Sequence, residues 1–241
     1  MILSHKQIEE IAAAVTKDFN EFFFGKDADN ERSTAQATPI DQFAKDYLGL
    51  SVSFAHLSSD GSLCGLTAYA DTEYTIEEQG VKRTIPLKAN QILLDLSVIQ
   101  PGQVHALCGK RRFTLAHECA HQILFGMESD NDKRTHESKY APRVAYSLRD
   151  LKTREDWNEW QANVLGAAIL MPQKEIDIAM RQFARGRVLK NYEGRFNYID
   201  RLSLTLLCQA LGVSKSAAII RLRQLGYIED RPFAEYDDPL E

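Results

Sequence analysis

The sequence predicts an α+β fold that is mostly helical and contains a small sheet. Apolar residues recur at helical spacing in residues 4–24, where Ser4 is a candidate N-cap, and again from residue 157 to residue 228. Strand patterns are confined to the middle of the chain, at Ser51–Leu57, Leu63–Ala70 and Ile92–Leu96. Together these patterns indicate a small sheet packed against helices.

Composition and charge are those of a globular protein without a dominant nucleic-acid surface. Of the 241 residues, 44% are hydrophobic and 26% are charged, and the net charge is −5. The cysteines form no C-x-x-C pair, which indicates a reduced chain: Cys64, Cys108, Cys119 and Cys208. The N-terminal helix pattern is interrupted by charges and resembles neither a signal peptide nor a membrane span. We therefore expect a cytoplasmic protein with no membrane partner.

Three segments are predicted along the chain. Residues 1–38 form an N-terminal helix and a polar loop. Residues 39–190 form the main domain, which contains a polar insertion at 128–156 that is long for a connection within a compact domain. Residues 191–241 form a terminal helical unit and a polar tail.

The pattern His117-Glu118-Cys119-Ala120-His121 lies within an apolar helical stretch, RFTLAHECAHQILFG, at residues 112–126. Residues four apart lie on one face of an α-helix, so both imidazoles can reach one metal ion, with Glu118 beside it. Cys119 lies on the opposite side of this helix and is predicted to be buried filler. The pattern thus predicts a two-histidine metal clamp.

A catalytic zinc ion needs a third protein ligand. The three-histidine version of the motif is excluded, because Leu124 and Met127 stand where it requires Gly and His. Glu159 is favoured, because it begins an apolar helix, predicted at Trp157–Leu170, whose small residues allow close approach to another helix. The alternatives lie in the polar insertion: Glu128, Asp130 and His136.

The motifs carry a family resemblance. Residues 112–121 read RFTLAHECAH, Glu159 and Asn163 enclose an E-x-x-A-N motif, and Leu170-Met171-Pro172 follows. Together they resemble the ImmA/IrrE family of zinc metallopeptidases. The resemblance implies a zincin-like domain, one zinc ion held by His117, His121 and Glu159, and Glu118 as the catalytic carboxylate. Cys119-Ala120 departs from the aliphatic residue and glycine usual in the family.

These residues predict hydrolysis of a peptide bond by metal-activated water, with Glu118 accepting its proton and passing it to the leaving amine. Candidate donors to the developing oxyanion are Tyr140, Arg143 and Tyr146. Asn163, one turn from Glu159, is a candidate for orienting that ligand, or else it only bridges packed helices. The family implies limited cleavage of a helix-turn-helix repressor, which would couple proteolysis to regulation of transcription.

The terminal unit supports a competing hypothesis. Leu206, Leu207 and Ala210 form a helical face, Ser214 is a candidate N-cap, and a second helix is predicted at Lys215–Leu225, as in a DNA-binding helix-turn-helix. The apolar content of that second helix argues against groove reading. A DNA-binding regulator with a structural or sensory metal site is the alternative, and a module that binds zinc without cleaving is a third reading.

Overall fold

The structure, a computed structural model, describes residues 2–25, 33–58, 61–78, 81–99, 104–128 and 153–237. The chain divides into two compact units. The first contains Met1–Ile11 and Pro39–Gly166, and the second contains Ala12–Thr38 and Ala167–Glu241. The segment boundaries predicted from the sequence, after residues 38 and 190, stay predictions.

Helices dominate the described residues, and the strands are short, which confirms the predicted α+β class. The helices are α1 (His5–Phe24), α2 (Ile40–Gln42), α3 (Val104–Gly126), α4 (Arg154–Leu170), α5 (Gln173–Ala184), α6 (Tyr198–Leu211) and α7 (Lys215–Gln224). The strands are β1 (Ser51–Ala55), β2 (Gly65–Ala68), β3 (Thr72–Glu78), β4 (Val81–Leu87), β5 (Gln91–Asp95), β6 (Leu189–Tyr192) and β7 (Ile228–Arg231).

The first unit is built on a three-stranded sheet in the order β1-β5-β2. Strand β5 is central, parallel to β1 and antiparallel to β2, and its residues 92–95 are buried. An apolar cluster combines side chains of β2 and β5 with neighbouring ones: Leu57, Leu63, Leu66, Ala68, Leu87 and Leu93. Strands β3 and β4 form an antiparallel hairpin that was not predicted, because most of its described side chains are at least partly exposed and give no apolar run.

Helix α3 packs against β2 and β5 and is tied down at two points. Arg111 donates a bidentate pair of hydrogen bonds to the Asp41 carboxylate on α2, at 2.5 and 3.0 Å. About two turns past the middle of α3, Gln122 Nε2 donates to Thr67 Oγ1 at 2.6 Å and to the Ala68 carbonyl at 3.1 Å. These contacts fix the rotation of α3 relative to strand β2.

The second unit contains α5, α6 and α7 and the parallel pair β6–β7. Asn197 caps α6 and Ser214 caps α7, the latter as predicted from the sequence. The axes of α6 and α7 differ in direction by 103°. Within the described ranges, no single helix is long and apolar enough to cross a membrane, and only the bent α6–α7 pair reaches that length and hydropathy when its two helices are added.

Candidate metal centre

The motif begins in a stretch of α3 that is buried on every side of the helix. Residues 114–120 of α3 are all buried, and Leu115, Ala116, Cys119 and Ala120 have no exposed surface. A helix that is buried all round has no solvated face on which polar side chains could rest. The polar members of this stretch must therefore find partners inside the protein.

Glu159 comes from α4, which begins three residues earlier than the sequence pattern predicted. Thr153 and Asp156 form a reciprocal cap, in which Asp156 N donates to Thr153 Oγ1 and Thr153 N donates to Asp156 Oδ2. This Thr-x-x-Asp capping box starts the helix at Arg154 and was a signal present in the sequence. Glu159 consequently lies in the second turn of α4, where it is buried, and not at the solvated helix start.

The two helices bring His117, His121 and Glu159 together. The Nε2 atoms of His117 and His121 are 3.1 Å apart. Glu159 Oε1 lies 3.0 Å from His121 Nε2, and Glu159 Oε2 lies 3.2 Å from His117 Nε2. Within the described residues, this trio is the group of His, Cys, Asp and Glu side chains whose atoms converge as metal ligands would.

Burial and mutual charge set the protonation of the group. Burial alone raises the pKa of Glu159, but hydrogen bonds from His117 and His121 outweigh it and lower that pKa to about 2. Burial lowers the pKa of His121, yet the Glu159 carboxylate reverses this and raises it. Glu118 has no such bonding to outweigh burial, which raises its pKa to about 8 despite the opposing effect of His121. The Glu159 carboxylate is thus held in its ionised form, whereas burial favours the neutral form of Glu118.

The three side chains fit a divalent metal ion. Two imidazoles and one carboxylate are the ligand set of many catalytic zinc sites. One donor atom from each of the three side chains lies within 4.8 Å of the others, so a single ion could contact all three. When both imidazoles are neutral, as metal ligands must be, the buried carboxylate between them is costly unless a metal cation compensates its charge. The site is therefore suited to hold one ion between α3 and α4 in the first unit.

The remaining predicted residues have different positions. Cys119 is fully buried on the back of α3, as expected. Glu128 pairs with Arg154 at 3.2 Å and does not join the ligand group. Asn163 is half-buried on α4, and its orienting role stays a prediction. The remaining alternatives lie outside the described residues: Asp130, His136, Tyr140, Arg143 and Tyr146.

Two residues near the site were not predicted from the sequence: Gly65, which lies in β2, and Tyr69, which directly follows that strand. The aromatic ring of Tyr69 stacks on Phe125 of α3, with ring centroids 4.1 Å apart. Burial raises the pKa of Tyr69, and the charges of Glu118, Glu159 and Glu128 raise it further, so a neutral phenol lies near these carboxylates. Gly65 is the second neighbour. A glycine inside an apolar strand marks a close approach, and that signal was available at residues 63–70.

A buried pair of helical histidines facing a glutamate from a second helix could hold a metal ion, as such groups do in metal-dependent hydrolases. Residues 108–223 match the family model for the IrrE N-terminal-like domain of the M78 peptidases. This match covers 116 of the 241 residues and confirms the resemblance of the motifs to the ImmA/IrrE family of metallopeptidases. Among curated proteins, none matches the chain significantly.

Proposed function

We propose that this protein is a zinc-dependent endopeptidase, in which His117, His121 and Glu159 hold the metal ion. The observation that carries the proposal is the convergence of these three side chains within hydrogen-bonding distance, on two buried helices of a metallopeptidase domain. Zinc bound there would supply a Lewis acid that polarises the peptide carbonyl and makes water acidic near neutral pH.

The protein's own contribution to the reaction is a positioned proton carrier. Glu118 follows His117 directly on α3 and is 5% exposed, so it lies beside the ligand group and is largely shielded from bulk water. In its ionised form Glu118 accepts a proton from the attacking water, and its raised pKa favours holding that proton until it passes to the amine of the leaving fragment. The same residue therefore acts first as base and then as acid.

We propose a helix-turn-helix repressor as the substrate and the cytoplasm as the location. The choice of a repressor rests on the ImmA/IrrE family, which the motifs resemble. Cleavage of a repressor would give the protein a role in regulating transcription. Free thiols at Cys64, Cys119 and Cys208 support a reducing compartment.

Metal analysis and one substitution test the proposal. We expect about one zinc ion per chain in protein purified without chelator. Glu118→Gln removes the proton carrier but none of the ligands, so it should retain zinc and lose cleavage of a random peptide mixture read by mass spectrometry. A zinc content near zero would contradict the metal site. Full activity in the variant would contradict the mechanism, and zinc without any cleavage in the unsubstituted protein would favour a binding module.

The α6–α7 pair favours DNA binding as a second candidate, because its 103° angle is within the range of helix-turn-helix motifs. The basic side chains of α7 weigh against this candidate, because two of them are engaged within the protein. Arg221 is 1% exposed and donates to the Met171 carbonyl at 3.1 Å, and Arg223 pairs with Asp230. Lys215 is exposed at the start of α7, where a groove-reading helix contacts bases. A salt-sensitive DNA shift that weakens in Lys215→Ala would support this candidate.

A further inference from the structure

The backbone conformation of strand β2 does not require a glycine at position 65. Gly65 is buried in β2, and its φ lies outside the left-handed region that only glycine adopts readily. The next residues of the strand, Leu66, Thr67 and Ala68, all carry side chains in the same extended conformation. The reason for glycine at position 65 is therefore the space beside it.

That space is filled by two side chains of α3. A β-carbon at position 65 would lie 2.7 Å from Thr114 Cγ2, 2.9 Å from Glu118 Oε1 and 3.3 Å from Glu118 Cγ. The first two distances are shorter than carbon and oxygen atoms tolerate without moving. The carboxylate of Glu118 therefore rests against the bare backbone of Gly65.

The two neighbours differ in how easily they can move. Thr114 is β-branched, 2% exposed, and held by its hydroxyl, which donates to the Lys110 carbonyl at 2.9 Å. Glu118 is unbranched at Cβ and meets position 65 most closely with its carboxylate oxygen, at the far end of the side chain. A methyl group at position 65 would therefore displace the Glu118 carboxylate more readily than it displaces the helix.

We propose that Gly65 is a positioning residue for Glu118, an assignment that rests on the proposed peptidase function. The bare backbone of β2 at this point sets where the carboxylate lies relative to the metal ligands. Gly65 touches neither His117, His121 nor Glu159 among its nearest atoms, so its effect on chemistry runs through Glu118. Misplacing a reacting group by about 1 Å costs on the order of 100-fold in rate.

Gly65→Ala in the full chain tests the proposal. We expect unchanged zinc content, a loss in kcat of about 10- to 100-fold, and a KM that changes by less than about threefold, measured on the fastest-cleaved peptide of the mixture. Gly126→Ala is the matched control, because a β-carbon at position 126 meets no atom within 4 Å. An unchanged kcat in Gly65→Ala, or an equal loss in Gly126→Ala, would overturn the proposal.

Thr114→Ser separates the two contacts. This change removes Cγ2 and keeps the hydroxyl that bonds Lys110. In the double variant Gly65→Ala/Thr114→Ser we expect a higher Tm than in Gly65→Ala but no recovery of kcat. Recovery of kcat would show that Thr114, and not Glu118, transmits the effect. If neither variant folds, the space at Gly65 serves the core and the assignment is likewise overturned.

A readout without substrate separates this proposal from the proposed function. In protein that already carries Glu118→Ala, the contact with the carboxylate is gone, so Gly65→Ala should lower Tm by less than it does in the presence of Glu118. An equal loss of Tm in both backgrounds would overturn the positioning role. Full activity of Glu118→Gln would instead overturn the peptidase mechanism, whatever the Tm values show.

Discussion

Gly166 of α4 lies directly against the backbone of His117. A β-carbon at position 166 would be 3.0 Å from His117 N and 3.1 Å from both Ala116 C and His117 Cα. These are main-chain atoms of a buried helix, which cannot turn aside as a side chain can. Because Gly166 has no side chain, α4 can pack closely against α3 at His117. This close packing determines how near Glu159, two turns earlier on α4, lies to the histidines.

The first prediction follows from this contact. Gly166→Ala should force α3 and α4 apart, lower the free energy of unfolding by about 1–3 kcal/mol, and weaken zinc binding. Competition with a chelating dye measures the affinity and denaturant unfolding measures the stability. Gly126→Ala should change neither quantity. A Gly166→Ala protein with the parent's zinc affinity would show that the helix spacing does not limit the site.

The second prediction concerns the third ligand. Glu159→Ala removes the carboxylate that contacts both imidazoles. Zinc affinity should therefore fall by more than about 100-fold, which is more than the loss expected when a group that only orients a ligand is changed. Glu128→Ala is the comparison, because Glu128 pairs with Arg154. Its zinc affinity should stay at the parent level. The opposite ranking of the two variants would move the third ligand to Glu128.

The third prediction concerns metal removal. A ligand held at 1,000 times its Kd stabilises the folded state by about 4 kcal/mol, and each kcal/mol shifts Tm by about 2–4 °C in a chain of this size. Stripping zinc with a chelator should therefore lower Tm by roughly 8–16 °C, and adding zinc back should restore it. In Glu159→Ala the chelator should have little effect. An equal shift in that variant would place the stabilising ion elsewhere.

The fourth prediction concerns pH and the start of α3. The hydrogen bond from Arg111 lowers the pKa of Asp41 below 3.8, so this pair stabilises the fold above that pH and stops doing so as pH falls through the lowered value. Because Asp41 is half exposed, Arg111→Met should cost only about 0.5–1 kcal/mol at pH 7. The difference from the parent should shrink as pH falls below 3.8 and disappear once Asp41 is protonated in the folded protein.

Urea unfolding at several pH values measures that difference. Lys88→Met provides the control, since its ion pair with Asp71 is more exposed on both sides, and its effect should be smaller than that of Arg111→Met. A stability difference in Arg111→Met that persists unchanged at low pH would mean that packing of the arginine chain, and not its charge, accounts for the effect.

The sequence was sufficient for the parts of the site that local geometry determines. The spacing of His117 and His121 already placed two imidazoles on one helical face, and an acidic residue on a second apolar helix indicated Glu159. The strands β2 and β5 were found because they are apolar, and β1 because its apolar residues alternate with serines. The start of α4 was wrong by three residues, because the Thr153–Asp156 capping box was not used.

Contacts between distant parts of the chain could not be predicted in the same way. Strand β6 pairs with β7 across two intervening helices, and no pattern in either segment names its partner. The reason for glycine at position 65 likewise depends on Glu118, which is adjacent only after folding. Tyr69 was missed for the same reason, since its proximity to three carboxylates depends on where β2 ends against α3.

Helix α3 is approached by a bare backbone on two sides, by Gly65 at Glu118 and by Gly166 at His117. In a scan of all single substitutions, we expect both glycines to be as intolerant of change as the residues of the motif itself, although neither carries a functional group. A designer who wished to alter this site would do best to leave these two positions alone.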